Sequence, residues 1–262
     1  MSQFRGWLAV VRKELTVYFA TPIFYITGFF FLLLAGYFFY TNVLYYNIIS
    51  FQAAQQAANP QIAAQLNPQQ MVFRPLFAVI GIILLFLVPF ITMRLLAEEK
   101  RSGTAELLFT YPLTDWAVIS GKFSAALVIY LILLAFTTSY AVVFGLITRL
   151  DWAAVGAGYL GLVLLGGACL SLGLFASSLT ENQIVAGVVA FALLLLFWII
   201  GWVQELGPGV LGSVFKYLSL LDHYENFTKG VIDTRDLVYC VSFIYFFLFL
   251  TKRQLESRRW RA

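Results

Sequence analysis

Charge is what this chain has least of. Of its 262 residues only 11% are Asp, Glu, Lys or Arg, against 61% hydrophobic, and the mean hydropathy is +0.85. Soluble domains are near half apolar and a quarter charged, so too few charges remain here to coat a water-facing surface. That excludes a soluble globular enzyme, a disordered chain and a nucleic-acid binder. Cysteine is scarce as well. Cys169 and Cys240 both lie in apolar runs, so neither a disulfide framework nor a metal site can be read from them. The one histidine, His223, is flanked by Asp222 and Glu225. No second imidazole exists to complete a common zinc site, and His223 reads as a hydrogen-bonded loop residue. The sequence has no Gly-x-x-x-x-Gly-Lys-Ser/Thr loop, hence no ATP site of that type. Glu98-Glu99 could suggest an intramembrane protease, but that chemistry needs polar partners, including histidines, around a bound water. The chain is therefore not expected to be an enzyme.

What the sequence does have is long apolar runs. Six of them, at about 23–49, 75–93, 123–147, 152–176, 184–203 and 237–251, predict an all-α polytopic membrane protein, a single domain over 1–262. The first run ends among Tyr37, Tyr40, Tyr45 and Tyr46, residues that favour the headgroup level. Pro89 predicts a kink in the second. The sixth is short: its uncharged stretch reaches about 22 Å as a helix against a hydrocarbon core of roughly 30 Å, so it must borrow flanking residues, thin the bilayer or sit against other protein. No ionisable Asp, Glu, Lys, Arg or His falls inside these six cores. Ion-coupled transporters need such groups within the membrane, so the energy for any transport is expected from elsewhere.

Ahead of the first run, Phe4, Trp7, Leu8, Val11, Leu15 and Tyr18 follow helical spacing while Arg5, Arg12 and Lys13 fall away from the stripe. This predicts an interfacial helix over about 3–20 with its apolar face in lipid, rather than a cleavable signal. Thr21-Pro22 separates it from the first span. With the N-terminus placed in the cytoplasm, twelve of the 17 basic residues fall on the inner side, and Arg74, Arg149, Lys216, Lys229 and Arg235 on the outer. The positive-inside rule prefers that orientation, a cytoplasmic (inner) membrane with both termini cytoplasmic. In the fourth run Gly156, Gly158, Gly161, Gly166, Gly167 and Gly173, with Ala168 and Ser171, give the small-residue spacing that allows close helix packing in lipid; a substrate-lining or moving helix is the other reading. Leu206 to Leu221, broken by Gly207-Pro208-Gly209, reads as a re-entrant or interfacial outer hairpin. The uncharged Gln/Ala-rich stretch Ser50 to Gln70 reads as a solvated linker, or as a docking site for an extracytoplasmic partner. The sequon Asn226-Phe227-Thr228 is discounted as a common chance match.

The link between the second and third runs carries most information. It reads Ala97-Glu98-Glu99-Lys100-Arg101-Ser102-Gly103-Thr104-Ala105-Glu106-Leu107-Leu108-Phe109-Thr110-Tyr111-Pro112-Leu113. The second helix is expected to run past the membrane through Arg101 and to stop at Ser102-Gly103, where glycine permits a sharp turn. Thr104 can cap a short helix with Glu106 in its positive first turn. Leu107, Leu108 and Phe109 would form an apolar docking face, and Tyr111-Pro112 would end it before Thr114 or Asp115 opens the third span.

Glu-Glu-Lys-Arg-Ser-Gly-Thr-Ala-Glu-Leu-Leu followed by Thr-x-Pro-Leu and Gly121-Lys122-Phe123 resembles the coupling-helix motif of ABC-2 type ABC-transporter permeases. Arg12-Lys13-Glu14-Leu15 with Tyr18-Phe19-x-Thr21-Pro22 is similar to that family's N-terminal elbow helix. His223 to Asp233 and Leu255 to Trp260 look like its subgroup associated with gliding motility. The resemblance implies a transmembrane subunit, an exporter half, pairing with a second permease subunit (homodimer or heterodimer). Separate cytosolic ABC ATPase subunits would bind ATP and Mg, leaving no cofactor in this chain. It also implies that Glu98, Glu99, Arg101, Ser102, Gly103, Thr104, Glu106, Leu107 and Leu108 carry the ATPase coupling. Two other classes remain: a membrane anchor through which an ATPase drives an extracytoplasmic machine without solute flux, and a channel independent of nucleotide.

Overall fold

The computed structural model describes residues 3–55, 67–103, 114–202 and 210–259. Among them the chain is all-helical, with ten α-helices and no strand. In order these are α1 (Gln3–Ala20), α2 (Pro22–Gln55), α3 (Arg74–Thr92), α4 (Ala97–Arg101), α5 (Asp115–Ile147), α6 (Trp152–Leu179), α7 (Gln183–Ile199), α8 (Val210–Leu218), α9 (Leu220–Thr228) and α10 (Thr234–Arg259). Six segments are long and apolar enough to cross a membrane, and each contains one of the six runs or coincides with most of it.

Local chemistry sets the helix starts. Asp151 accepts from the Ala153 and Ala154 amides ahead of α6, and Asn182 from those of Ile184 and Val185 ahead of α7. Ser219 Oγ accepts from Asp222 N to open α9. Each side chain satisfies amides that have no partner within the helix. Pro22, whose missing N–H costs nothing in a first turn, opens α2 one residue after α1 ends.

α6 is the axis of the bundle. Of its most apolar stretch 78% is buried, against 17% for α2 at the periphery. α3, α5, α7, α9 and α10 all pack on it. The glycines explain how neighbours come so close. A Cβ on Gly158 would stand 2.0 Å from the Phe77 ring, on Gly161 2.3 Å from Phe227 Cβ, and on Gly166 2.1 Å from the Tyr130 ring. The small-residue stripe therefore receives large side chains of the same subunit, as close packing requires. Gly156 is the exception, with nothing near it.

The structure corrects several expectations. One is met rather than corrected: the sixth span borrows its flanking residues, since α10 has 26 residues, about 39 Å of helix, with Thr234-Arg235-Asp236 and the charged tail continuing it at both ends. The second helix does not run unbroken to Arg101. Pro89 sits inside α3, and the helix opens one turn later, at 93–96, before resuming as α4. A π-helical turn, Gln69–Phe73, precedes α3. His223 lies in helix α9, not in a loop. On α1, Phe4 and Leu8 are open as the lipid-facing stripe requires, but Val11 and Tyr18 are buried against protein. Of the stretch Leu206 to Leu221, α8 and the start of α9 are helical, while 203–209 lie outside the described residues, as does most of the Gln/Ala-rich stretch.

Candidate functional site

α1 crosses the start of α5 closely because Gly121 presents no side chain there. A Cβ would stand 2.9 Å from Val10 Cγ1. The same approach brings Glu14, one turn beyond Val10, over Lys122. The break between α3 and α4 turns Glu99 toward the same point. That break is held by Ser177 of α6, whose Oγ accepts from the Leu96 and Ala97 amides at 3.1 Å each and donates to the Met93 carbonyl at 3.2 Å. One hydroxyl thus satisfies the backbone groups that the helix interruption frees.

The result is a cluster of four charges from three helices, enclosed at Glu14, Glu99 and Lys122 and open to solvent at Lys13, whose side chain is 52% exposed. Lys122, with its side chain 1% exposed, places Nζ 2.7 Å from Glu14 Oε1 and 2.9 Å from Glu99 Oε2. Lys13 Nζ reaches Glu99 Oε1 at 2.6 Å and lies 3.8 Å from Glu14 Oε1. Two ammonium groups meet two carboxylates, so the cluster is formally neutral. Burial opposes the Lys13 charge, yet the hydrogen bond to Glu99 and the charges of Glu99, Glu14 and Glu98 outweigh it and hold the Lys13 pKa above its ordinary value. A buried ion pair is weak evidence for net stability, but removing one partner strands the others in a medium that cannot solvate them. Beside the cluster Tyr18 donates to the Ile91 carbonyl at 2.7 Å, and the Arg94 guanidinium lies 4.6 Å from the centre of its ring. Burial pushes the Tyr18 phenol well above its usual value against the opposing pull of Arg94, so it stays a neutral donor.

The residues expected to carry coupling separate into two groups. Glu99 is buried in the cluster; Glu98, Arg101, Ser102 and Gly103 are exposed. Lys100 turns back and donates to the Ser178 carbonyl at the end of α6. Gly103 has φ +68°, a left-handed conformation that serves the sharp turn expected at Ser102-Gly103. Thr104, Glu106, Leu107 and Leu108 lie outside the described residues. Lys13, Glu14 and Lys122 stand in the motifs that carry the family resemblance, but those motifs assign them no coupling role. Glu14 was visible in principle, since Val10, Glu14 and Tyr18 recur every fourth residue on one helical face.

At the opposite end of the bundle α9 closes over α3 and α6. Tyr224 donates to the Phe77 carbonyl at 2.9 Å, and Arg74 pairs with Glu225 at 3.1 Å.

A family model described as "ABC-2 family transporter protein" matches residues 8–251, nearly the whole chain. The chain belongs to the ABC-2 transporter family. The match begins on α1, covers the first five candidate spans and most of the sixth, and includes every member of the ion cluster. ABC-2 membrane subunits are permease components of ABC transporters, generally distinct from the ATPase that they partner and often dimeric. This ABC-2 chain is accordingly a multi-pass membrane protein. Among curated proteins none matches it significantly.

Proposed function

We propose that this ABC-2 permease subunit exports its cargo with force received from separate cytosolic ATPase subunits. The force enters through the link between α4 and α5. The observation that carries the proposal is the Glu14–Lys122–Glu99 cluster. It ties the start of that link to α1 and to the first turns of α5, so the three move as one body. A push on the exposed Glu98–Gly103 surface and on the Thr104–Leu108 stretch then reaches two membrane helices at once. In this reading α1 is an elbow helix at the inner face, both termini are cytoplasmic, the α8–α9 segment caps the outer mouth, and ATP and Mg reside on the partner. The basic residues around α1, α4 and the end of α10 support that orientation. Two such subunits, identical or not, would form the pathway in a cytoplasmic membrane. The likeness of His223–Asp233 and Leu255–Trp260 to the gliding-motility-associated subgroup leaves room for an extracytoplasmic accessory protein.

The test is the reconstituted complex with its ATPase. Replacing Gly103 by proline together with Glu106 by lysine should abolish coupling between ATP hydrolysis and transport while membrane insertion is retained. ATPase stimulation at the wild-type level would overturn the coupling assignment. ATP-dependent flux in proteoliposomes separates export from anchoring: an anchor hydrolyses ATP and moves no solute.

A further inference from the structure

His223 performs no part of the coupling scheme, yet it is buried where α8, α9 and α10 meet. Its Nδ1 lies 2.6 Å from Asp236 Oδ1 and its Nε2 lies 2.9 Å from the Tyr217 carbonyl oxygen. The ring stacks on Tyr239 with centroids 3.9 Å apart. Asp236 Oδ2 accepts from Asn226 Nδ2 at 2.8 Å. Both ring nitrogens thus face oxygen atoms. A backbone carbonyl only accepts, and so does an ionised carboxylate, whereas a neutral imidazole has one donor and one acceptor nitrogen. The two contacts coexist only while the His223–Asp236 pair holds one extra proton, on the ring or on the carboxyl. Once it leaves, the charge-assisted bond decides the tautomer: the remaining N–H stays on Nδ1 toward Asp236, and the Nε2 lone pair is left against the Tyr217 oxygen.

We propose that the His223–Asp236 pair is a proton-operated latch, closed by this extra proton, that fastens the C-terminal end of α8 to α9. The end of α8 has a second tether, Tyr239 donating to the Leu218 carbonyl at 2.7 Å, so proton loss loosens α8 without detaching it. α9 remains seated through Tyr224 on α3 and Phe227 against Gly161 of α6. Opening is therefore confined to α8. Among the described residues the charged side chains of the surrounding elements are Lys216 on α8, Asp222 and Glu225 on α9, Lys229 just past its last turn and paired with Glu225, Asp233 ahead of α10, and Arg235 and Asp236 in its first turn. Arg74 of α3 is taken up by Glu225, and α6 and α7 contribute no Asp, Glu, Lys or Arg. The latch does not depend on the coupling reading; it needs only the geometry at this end.

The chain has a single histidine, so labelling histidine alone with nitrogen-15 reports on His223 without assignment. The full chain in lipid nanodiscs would be followed from acid to alkaline pH over the range in which it stays folded. Nε2 should carry hydrogen at the acid end and lose it as pH rises. Over the same range, amide exchange of residues 210–218, corrected for the intrinsic pH effect, should rise roughly fivefold, the loss of one ordinary hydrogen bond. The step in exchange should vanish in His223→Gln. A ring nitrogen signal that does not change, exchange at α8 that does not follow it, or a step that persists in His223→Gln each overturns the latch. Should His223→Gln fail to fold, Tyr239→Phe serves: it removes the second tether alone, and should raise α8 exchange at every pH while keeping the step. Its loss in that variant overturns the proposal equally.

Discussion

At the Glu99 end of the bundle, Lys122 is almost completely enclosed and answers two carboxylates on two other helices. At the His223 end, Glu225 also joins helices, pairing with Arg74 of α3 and with Lys229 one turn along α9, but its side chain is 49% exposed. Both are ion networks in a chain poor in charge. They differ in what water can do for them. Solvent can replace either partner of Glu225, so its contacts are adjustable and weak. Nothing can replace the partners of Lys122, so α1, α4 and α5 are held to one arrangement or separated together. That contrast is what a force-transmitting joint and a rim closure would each require.

The strongest way to break the comparison is Lys122→Met. It leaves Glu14 and Glu99 sharing only the half-exposed Lys13 and should lower unfolding stability toward the lower end of about 3–5 kcal/mol, seen as a large drop in the thermal midpoint in nanodiscs. Adding Glu14→Gln and Glu99→Gln should restore much of that stability without restoring ATPase coupling. A Lys122→Met protein as stable as the parent would show the enclosed cluster to be no different from the exposed one. A second test compares packing with charge. Gly166→Ala drives a methyl into the Tyr130 ring and should cost about 1–3 kcal/mol, while Gly156→Ala, facing open space, should be close to neutral. Equal midpoints for the two would contradict the central place of α6.

The smallest effects belong to the exposed network. The hydrogen bond from Lys229, outweighing the opposing effect of burial and joined by the charges of Lys229 and Arg74, holds the Glu225 carboxyl below its ordinary value of 4.5. A lowered folded-state pKa contributes stability that is present above the unfolded value and fades as pH falls through the folded one. The parent should therefore exceed Glu225→Gln in midpoint at neutral pH, by the equivalent of about 0.2–1 kcal/mol, and the gap should close below pH 4.5. Lys13 shifts the other way. Its raised pKa means a contribution present at neutral pH and lost only on strongly alkaline titration, so Lys13→Ala should differ least from the parent at high pH.

Much of the fold was legible because lipid imposes simple rules. A run of apolar residues must be helical to satisfy its backbone, so the runs predicted the six candidate spans and Thr21-Pro22 their first boundary. The charged ends of the sixth helix were harder to read, since hydropathy cannot tell a helix that leaves the membrane from one that stops. His223 was misplaced in a loop for a related reason: Ser219, the residue that caps its helix, follows a broken apolar stretch that obscures the start. The candidate site was half legible. Glu98 to Gly103 announced itself through charge and a glycine turn, but the partners of Glu99 lie about 86 and 23 residues away, at Lys13 and Lys122, and no local pattern joins them.

By itself the sequence determined that this chain lives in a membrane, how many times it can cross, and that a short charged link with a turn-forming glycine joins the second and third crossings. These follow from composition and from backbone hydrogen bonding, which act locally. Only the tertiary structure decided that Glu99 faces inward while Glu98 faces out, and that Lys122 binds both Glu14 and Glu99. It also decided that both nitrogens of His223 meet oxygen. Burial and pairing depend on which helices touch, and that is settled by the glycines of α6 and Gly121 admitting their neighbours, not by any property of the charged residues themselves.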